Sequence, residues 1–349
     1  MKIYLPCQTT RPATQWITLL LSLLIVAFSG CSSAKNALSN ETAYVAPEKM
    51  RLRSSTAEAA RVVGEVKSGD QVSILERKNE GNATWANVSG PGGATGWIET
   101  RYLVKQEIVN ASTKIAEELR EIPTQAVGKS KATLKLRLTP DRNNDDNVAF
   151  PLPAGTTLEI VARKRRPRPE KLEAAAKPAT AQGSPAASAT PSGPKYDEWF
   201  KVRLPNYSIV PAGWIYGGSI ELEVPSEITF FLSTGRRITG WQKIGSVTDD
   251  TNQSHDSFLV VEKNSFDADE RADFDRVKVL AYDPKRREYG TPFREDLLGQ
   301  FPVRLKMEGS RGQFSLTGLD KKDGQPSKLD YSVELLEGGK AKVTRQPNK

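Results

Sequence analysis

The sequence predicts an all-β protein: two small, highly curved β-barrels joined by a short helix, followed by a C-terminal antiparallel β-domain. Three observations predict it. Short runs of alternating β-branched and aromatic residues recur between turns, in a chain with 26 Gly and 22 Pro among 349 residues. One block of such runs returns later in the same order, the mark of a unit present twice. Beyond residue 226 the runs continue with different spacing, as in Arg276-Val277-Lys278-Val279-Leu280-Ala281-Tyr282, where apolar and charged residues alternate.

Composition narrows the chemistry. One His and two Cys exclude a His-ligated zinc hydrolase, a Cys/His peptidase and a thiolate zinc ribbon. A Gly-x-Ser-x-Gly elbow is absent from the sequence. The carboxylates of Asp267, Asp269, Glu270, Asp273 and Asp275 cluster without the loop glycine a calcium site needs, and Arg271 and Arg276 compete for their oxygens. His255 reads as a loop residue without a partner. The expectation is a protein that is not an enzyme and holds no cofactor and no metal. Its net charge of +8 favours acidic partners at long range.

Residues 1–30 read as an export signal. Lys2 and Arg11 precede an apolar run from Trp16 to Phe28. At about 13 residues the run falls short of the roughly 20 that span a bilayer and fits a secretory h-region. It ends in Phe28-Ser29-Gly30-Cys31-Ser32-Ser33, which resembles a bacterial lipoprotein signal. That resemblance implies cleavage before Cys31, lipidation of Cys31 and a membrane anchor. Ser32 in place of Asp points to the outer membrane, with the protein facing the periplasm of the cell envelope. The other reading is an ordinary signal peptide ending near Gly30. Lipidation is favoured because no later Cys offers a disulfide partner. Residues 31–42 read as a tether.

The duplicated block spans residues 43–104 and 131–224. Leu52-Arg53, Gly69-Asp70 before Val72 and Ile74, Trp85 with Val88, and Gly96-Trp97-Ile98 return as Leu136-Arg137, Gly155-Thr156 before Leu158 and Ile160, Trp199 with Val202, and Gly213-Trp214-Ile215. Both copies resemble the bacterial SH3 domain, which implies recognition of peptidoglycan or wall peptides. A barrel of about 60 residues needs large apolar side chains in its core, a role assigned here to Trp85 and Trp199. Trp97, Tyr102, Trp214 and Tyr216 are assigned to a ligand groove. The alternatives are an adaptor that grips another envelope protein and, less favoured, a wall-acting enzyme.

Residues 105–130 form a helical linker: Ile108, Ile115, Leu119 and Ile122 make an apolar stripe, ended by Pro123 and packed on a barrel. Residues 163–195 read as a disordered insertion in the second module, rich in Ala, Pro and Ser. Its Arg163, Lys164, Arg165, Arg166 and Arg168 form a basic surface cluster, either solvated or in contact with an anionic surface. Nucleic acid is not an expected partner of an exported protein. Residues 226–349 carry the C-terminal β-domain, with Ser226–Leu232 a helix or strand and Asp283-Pro284-Lys285-Arg286 the turn of a hairpin.

Overall fold

A computed structural model describes residues 41–143, 145–167, 196–266 and 269–347. The protein is all-β, built from three antiparallel sheets. The first contains β1 (Thr42–Val45), β2 (Lys49–Arg53), β3 (Val62–Lys67), β4 (Gln71–Glu80), β5 (Ala83–Ser89), β6 (Thr95–Glu99) and β7 (Leu103–Val104), in the order β3-β2-β6-β5-β4-β1-β7. The second contains β8 (Ala126–Ser130), β9 (Leu134–Arg137), β10 (Val148–Leu152), β11 (Thr157–Pro167), β12 (Tyr196–Arg203), β13 (Ala212–Tyr216) and β14 (Ile220–Leu222), in the order β10-β9-β13-β12-β11-β8-β14. The two paths are the same strand for strand. Their registers coincide as well: Trp97 pairs with Asn87 and Arg53, and Trp214 pairs with Lys201 and Arg137. Even the β-bulges coincide, at Leu75 in β4 and Val161 in β11.

The shared motifs follow from this geometry. Leu52 and Leu136 are fully buried in their cores, and the arginine that follows each points the other way, as alternation along a strand requires. Arg53 then reaches back to the Glu58 carbonyl at 3.4 Å, and Arg137 to Asn147 and Asp145 at 2.6 and 2.9 Å, holding the loop that follows. In Gly96-Trp97-Ile98 the isoleucine enters the core and the tryptophan faces out. The glycine is required because a Cβ there would lie 2.8 Å from the Leu52 side chain, and one at Gly213 would lie 2.8 Å from the Arg137 carbonyl.

Helix α1 (Gln106–Leu119) lies on the second sheet, as its apolar stripe predicts. The sheet takes its first strand, β8, from residues assigned by sequence to the linker. β11 runs on to Pro167 and pairs with Tyr196–Arg203, so residues 163–167 are ordered strand, correcting the start of the insertion. Residues 1–40, which include the export signal, Cys31 and most of the tether, lie outside the described residues. So do Arg168 and the rest of the insertion to residue 195, and Asp267.

The third sheet is a meander of β15 (Arg236–Thr248), β16 (Ser254–Asn264), β17 (Phe274–Asp283), β18 (Glu288–Glu308), β19 (Arg311–Leu319), β20 (Pro326–Leu336) and β21 (Lys340–Arg345), each paired with the next. It bends around a core that includes Leu259, Phe274, Val279, Phe314, Leu316 and Tyr331. Helix α2 (Ser226–Phe230) seals the opposite face of the first strands through Ile228, against Ile238, Val260 and Leu280. The expected hairpin at Asp283 is present between β17 and β18.

Candidate functional site

The face of the first sheet opposite its core carries two cross-strand rows. One is Lys78–Trp85–Glu99, the next Glu76–Asn87–Trp97–Arg53. Trp85 is buried, as expected of it, but on this outer face, while β5 supplies the inner cluster through Ala86 and Val88. Its low exposure comes from neighbours on the outer face, including the Arg53 guanidinium 5.6 Å from its ring centroid. Trp97 is half-buried beside it. Tyr102 does not join this face: it packs against the core cluster, with Arg101 4.9 Å from its ring.

The second sheet repeats these rows as Lys164–Trp199–Tyr216 and Ala162–Lys201–Trp214–Arg137. Trp199 is fully buried, as expected of it, but on the outer face: the inner cluster takes Val202 and Phe200 from β12. Here the protein's own groups cover the rings. Lys201 lies 5.7 Å from the Trp214 centroid and donates to Glu118 of α1 at 2.8 Å. Arg142 lies 5.0 Å from Tyr216 and pairs with the buried Asp197 at 2.8 Å. Tyr216 sets its edge on Trp199, with centroids 6.0 Å apart. Of the two outer faces, that of the first sheet is the more open to a ligand.

The expected basic surface cluster divides by strand alternation. Lys164 and Arg166 are exposed on the outer face, but the Arg163 side chain is only 3% exposed and Arg165 is half-buried. The bulge at Val161 turns these two toward the third sheet. Arg163 pairs with Glu198, lies 3.7 Å from an Asp273 carboxylate oxygen and donates to the Asp273 carbonyl at 3.3 Å. Arg165 donates to the Ala272 carbonyl at 3.2 Å. Lys263 donates to the Asp269 and Ala272 carbonyls. Burial, with Arg165, Arg163 and Arg237 nearby, lowers the Lys263 ammonium to about 8. Burial also pushes the Asp273 carboxyl up, against the pull of Arg163.

The remaining polar groups of the third sheet are tied into its structure. His255 is not a partnerless loop residue: it lies in β16, bonds Asp249 at 3.0 Å and stacks on Tyr282 at 3.6 Å. Thr251 and His255, with backbone donors, hold the Asp249 carboxyl well below the usual carboxylate range. Asp269 accepts from Arg271, Asp275 pairs with Arg236, and Glu262 is enclosed with Lys278 and Arg236. Among the described residues, no group of three His, Cys, Asp or Glu side chains is placed to hold a metal ion.

Residues 48–104 match the bacterial SH3 domain. The match takes in β2 through β7 of the first sheet and leaves out β1; residues 48–104 are a bacterial SH3 domain, often a module that binds peptidoglycan or envelope components. No curated protein matches the chain.

Proposed function

We propose that this chain is a non-enzymatic, lipid-anchored cell-envelope protein that grips peptidoglycan or wall peptides through the Trp97 face of its first sheet. The second sheet is then a second, diverged bacterial SH3 domain, supported by its identical strand order, register and bulge position. Lipid on Cys31 holds the protein to the outer membrane, facing the periplasm. The observation that carries the reading is the open row Asn87–Trp97–Arg53 within a domain of wall-binding class. A half-buried indole beside amide and guanidinium donors suits an extended peptide or sugar chain, by stacking and hydrogen bonds.

Residues 32–349, purified without acyl chains, should cosediment with purified sacculi and release no soluble wall fragments from them. Sedimentation no greater than that of an unrelated small β-protein refutes wall binding, and sustained release of fragments refutes the non-enzymatic reading. Incorporation of labelled fatty acid into the full chain, lost in Cys31→Ser, tests the anchor.

A further inference from the structure

Where β11 of the second sheet meets the third, more cations gather than carboxylates pair with. Lys263 continues the inward row of Leu259 and Val261 along β16, and it is 1% exposed. Its ammonium is held only by the carbonyls of Asp269 and Ala272. Arg165 reaches across from β11 to the same Ala272 carbonyl. Arg237 stands directly opposite Lys263 in the ladder of β15 and β16 and is exposed. It has no hydrogen-bond or ion-pair partner among the described residues. Of the four cations here, Arg163 alone pairs with carboxylates, those of Glu198 and Asp273.

This arrangement is costly as it stands. A buried ammonium without a counter-charge is unfavourable, and like charges directly opposite each other in a ladder repel. Partial loss of water, then the charge of Arg163, lowers the guanidiniums of both Arg165 and Arg237. The adjoining chain does not make up the deficit. Asp269 and Asp275 are taken by Arg271 and Arg236, and Glu270 acts on Arg165 only at a distance. Residues 168–195, outside the described residues, bring Arg168, Lys171, Lys177 and Lys195 against Glu170 and Glu173, so they add cations on balance.

We propose that Arg237, Arg165 and Lys263 form a binding site for a phosphate group, entered from solvent past Arg237. This goes beyond wall binding and uses neither tryptophan row of the first sheet. The two guanidiniums offer forked N–H donors to the phosphate oxygens, and Lys263 supplies fixed positive charge behind them. A phosphate monoester carries about −1.5 to −2 charge at pH 7, enough to balance two of the three unpaired cations. Its tetrahedral oxygens accept from donors arriving on three different strands, β11, β15 and β16, whereas a planar carboxylate matches one fork at a time. Because Arg165 belongs to the second sheet and Arg237 and Lys263 to the third, a bound phosphate also ties the two sheets together.

Inorganic phosphate is the probe, titrated calorimetrically into residues 32–349 at pH 7 with ionic strength held by sodium chloride. One saturable site is expected, with a dissociation constant of about 1 mM or tighter. Arg237→Gln should weaken it about tenfold, the loss of a charged hydrogen bond. Lys243→Gln, which removes an exposed lysine from the same strand, should leave it unchanged. Arg237 has no partner to lose, so an undiminished melting temperature without phosphate confirms that Arg237→Gln folds. Vesicles of phosphatidylglycerol identify the source: cosedimentation weakened by Arg237→Gln makes the phosphate a lipid headgroup's, and phosphate binding without vesicle binding makes it a soluble one. No saturation by about 10 mM phosphate overturns the proposal, as does equal binding by the parent and Arg237→Gln or an equal loss in Lys243→Gln. Binding that emerges only in Asp267→Asn overturns it too, because the chain's own carboxylate then fills the site. Trp97→Ala should leave phosphate binding unchanged, so its failure is separable from that of wall binding.

Discussion

The side-chain amide of Gln125 takes the place of a strand partner for Val303. Its Oε1 accepts from the Val303 N–H at 2.8 Å and its Nε2 donates to the Val303 carbonyl at 3.0 Å. Val303 needs this because the ladder between β18 and β19 shifts register between Gln300 and Arg304. The backbone of the same glutamine donates to Ile160 of the second sheet at 2.8 Å and accepts from Trp241 of β15 at 2.7 Å. One buried residue thus joins the second sheet to two strands of the third.

Gln125→Leu should destabilise the protein by about 1–3 kcal/mol. The Val303 carbonyl keeps a second donor, Gln242 Nε2 at 2.8 Å, so the loss is mainly an orphaned buried N–H. Chemical denaturation checks this, and an unchanged midpoint refutes it.

Arg163 and Lys164 are neighbours in sequence with opposite fates, which gives a paired test. Arg163→Met leaves the half-buried Glu198 and Asp273 without the buried guanidinium between them; because both carboxylates keep some solvent, the cost should be about 1–3 kcal/mol. Lys164→Met, on the exposed face, should change stability by less than about 0.5 kcal/mol. Equal effects in denaturant titrations of the two variants would mean that β11 does not present Arg163 to the third sheet.

Much of this architecture is legible in the residues. The alternating run Arg276–Tyr282 falls in β17, and the turn at Asp283 leads from it into β18 as a hairpin. The motifs Leu-Arg and Gly-Trp-Ile set one residue inward and the next outward by period-2 logic alone. The outer-face position of Trp85 and Trp199 was legible too: Trp85 and Val88, like Trp199 and Val202, are three apart, an odd spacing that puts them on opposite faces of a strand. Reading the tryptophans by hydrophobicity obscured that parity. Other features carry no such signal. The bulge at Val161 reverses which of Arg163 and Lys164 faces inward, and a bulge is fixed by pairing across the sheet. β15 escapes the eye because register shifts at Thr239 and Ile244 break its alternation. The occupancy of the second sheet's outer face by α1 is a tertiary contact with no local signature.

Stability should rise with pH between about 8 and 10. The Lys263 ammonium is lowered to about 8 in the folded protein from 10.5 unfolded. Across that interval the unfolded chain binds more protons than the folded one, so raising the pH favours folding. The slope approaches about 1.4 kcal/mol per pH unit for one proton. Above pH 10 the gain is opposed, because burial raises the Tyr289 hydroxyl to about 12 and the folded protein then holds the extra proton. Denaturation midpoints at pH 7.5 and 9.5 check the sign. Lys263→Met should remove the difference, and a parent midpoint that falls over the same interval would reject the assignment.

The two tryptophans of the first sheet's outer face separate binding from stability. Trp97 is half-buried and its indole is the open aromatic surface of the proposed groove, so Trp97→Ala should weaken sacculus binding about tenfold, or 1.4 kcal/mol, with little change in melting. Leu52 fills the core beneath, where Leu→Ala substitutions cost about 2–5 kcal/mol, so Leu52→Ala should lower stability sharply. Trp85→Ala should fall between them: it removes a ring packed under Arg53 and leaves the core of Ala86, Val88 and Ile98 intact. Cosedimentation with sacculi and thermal melting, run on all three variants, give the ordering. If Trp85→Ala unfolds the domain as completely as Leu52→Ala, the tryptophan carries the fold as a core residue does, and the row Lys78–Trp85–Glu99 beside the groove is structural.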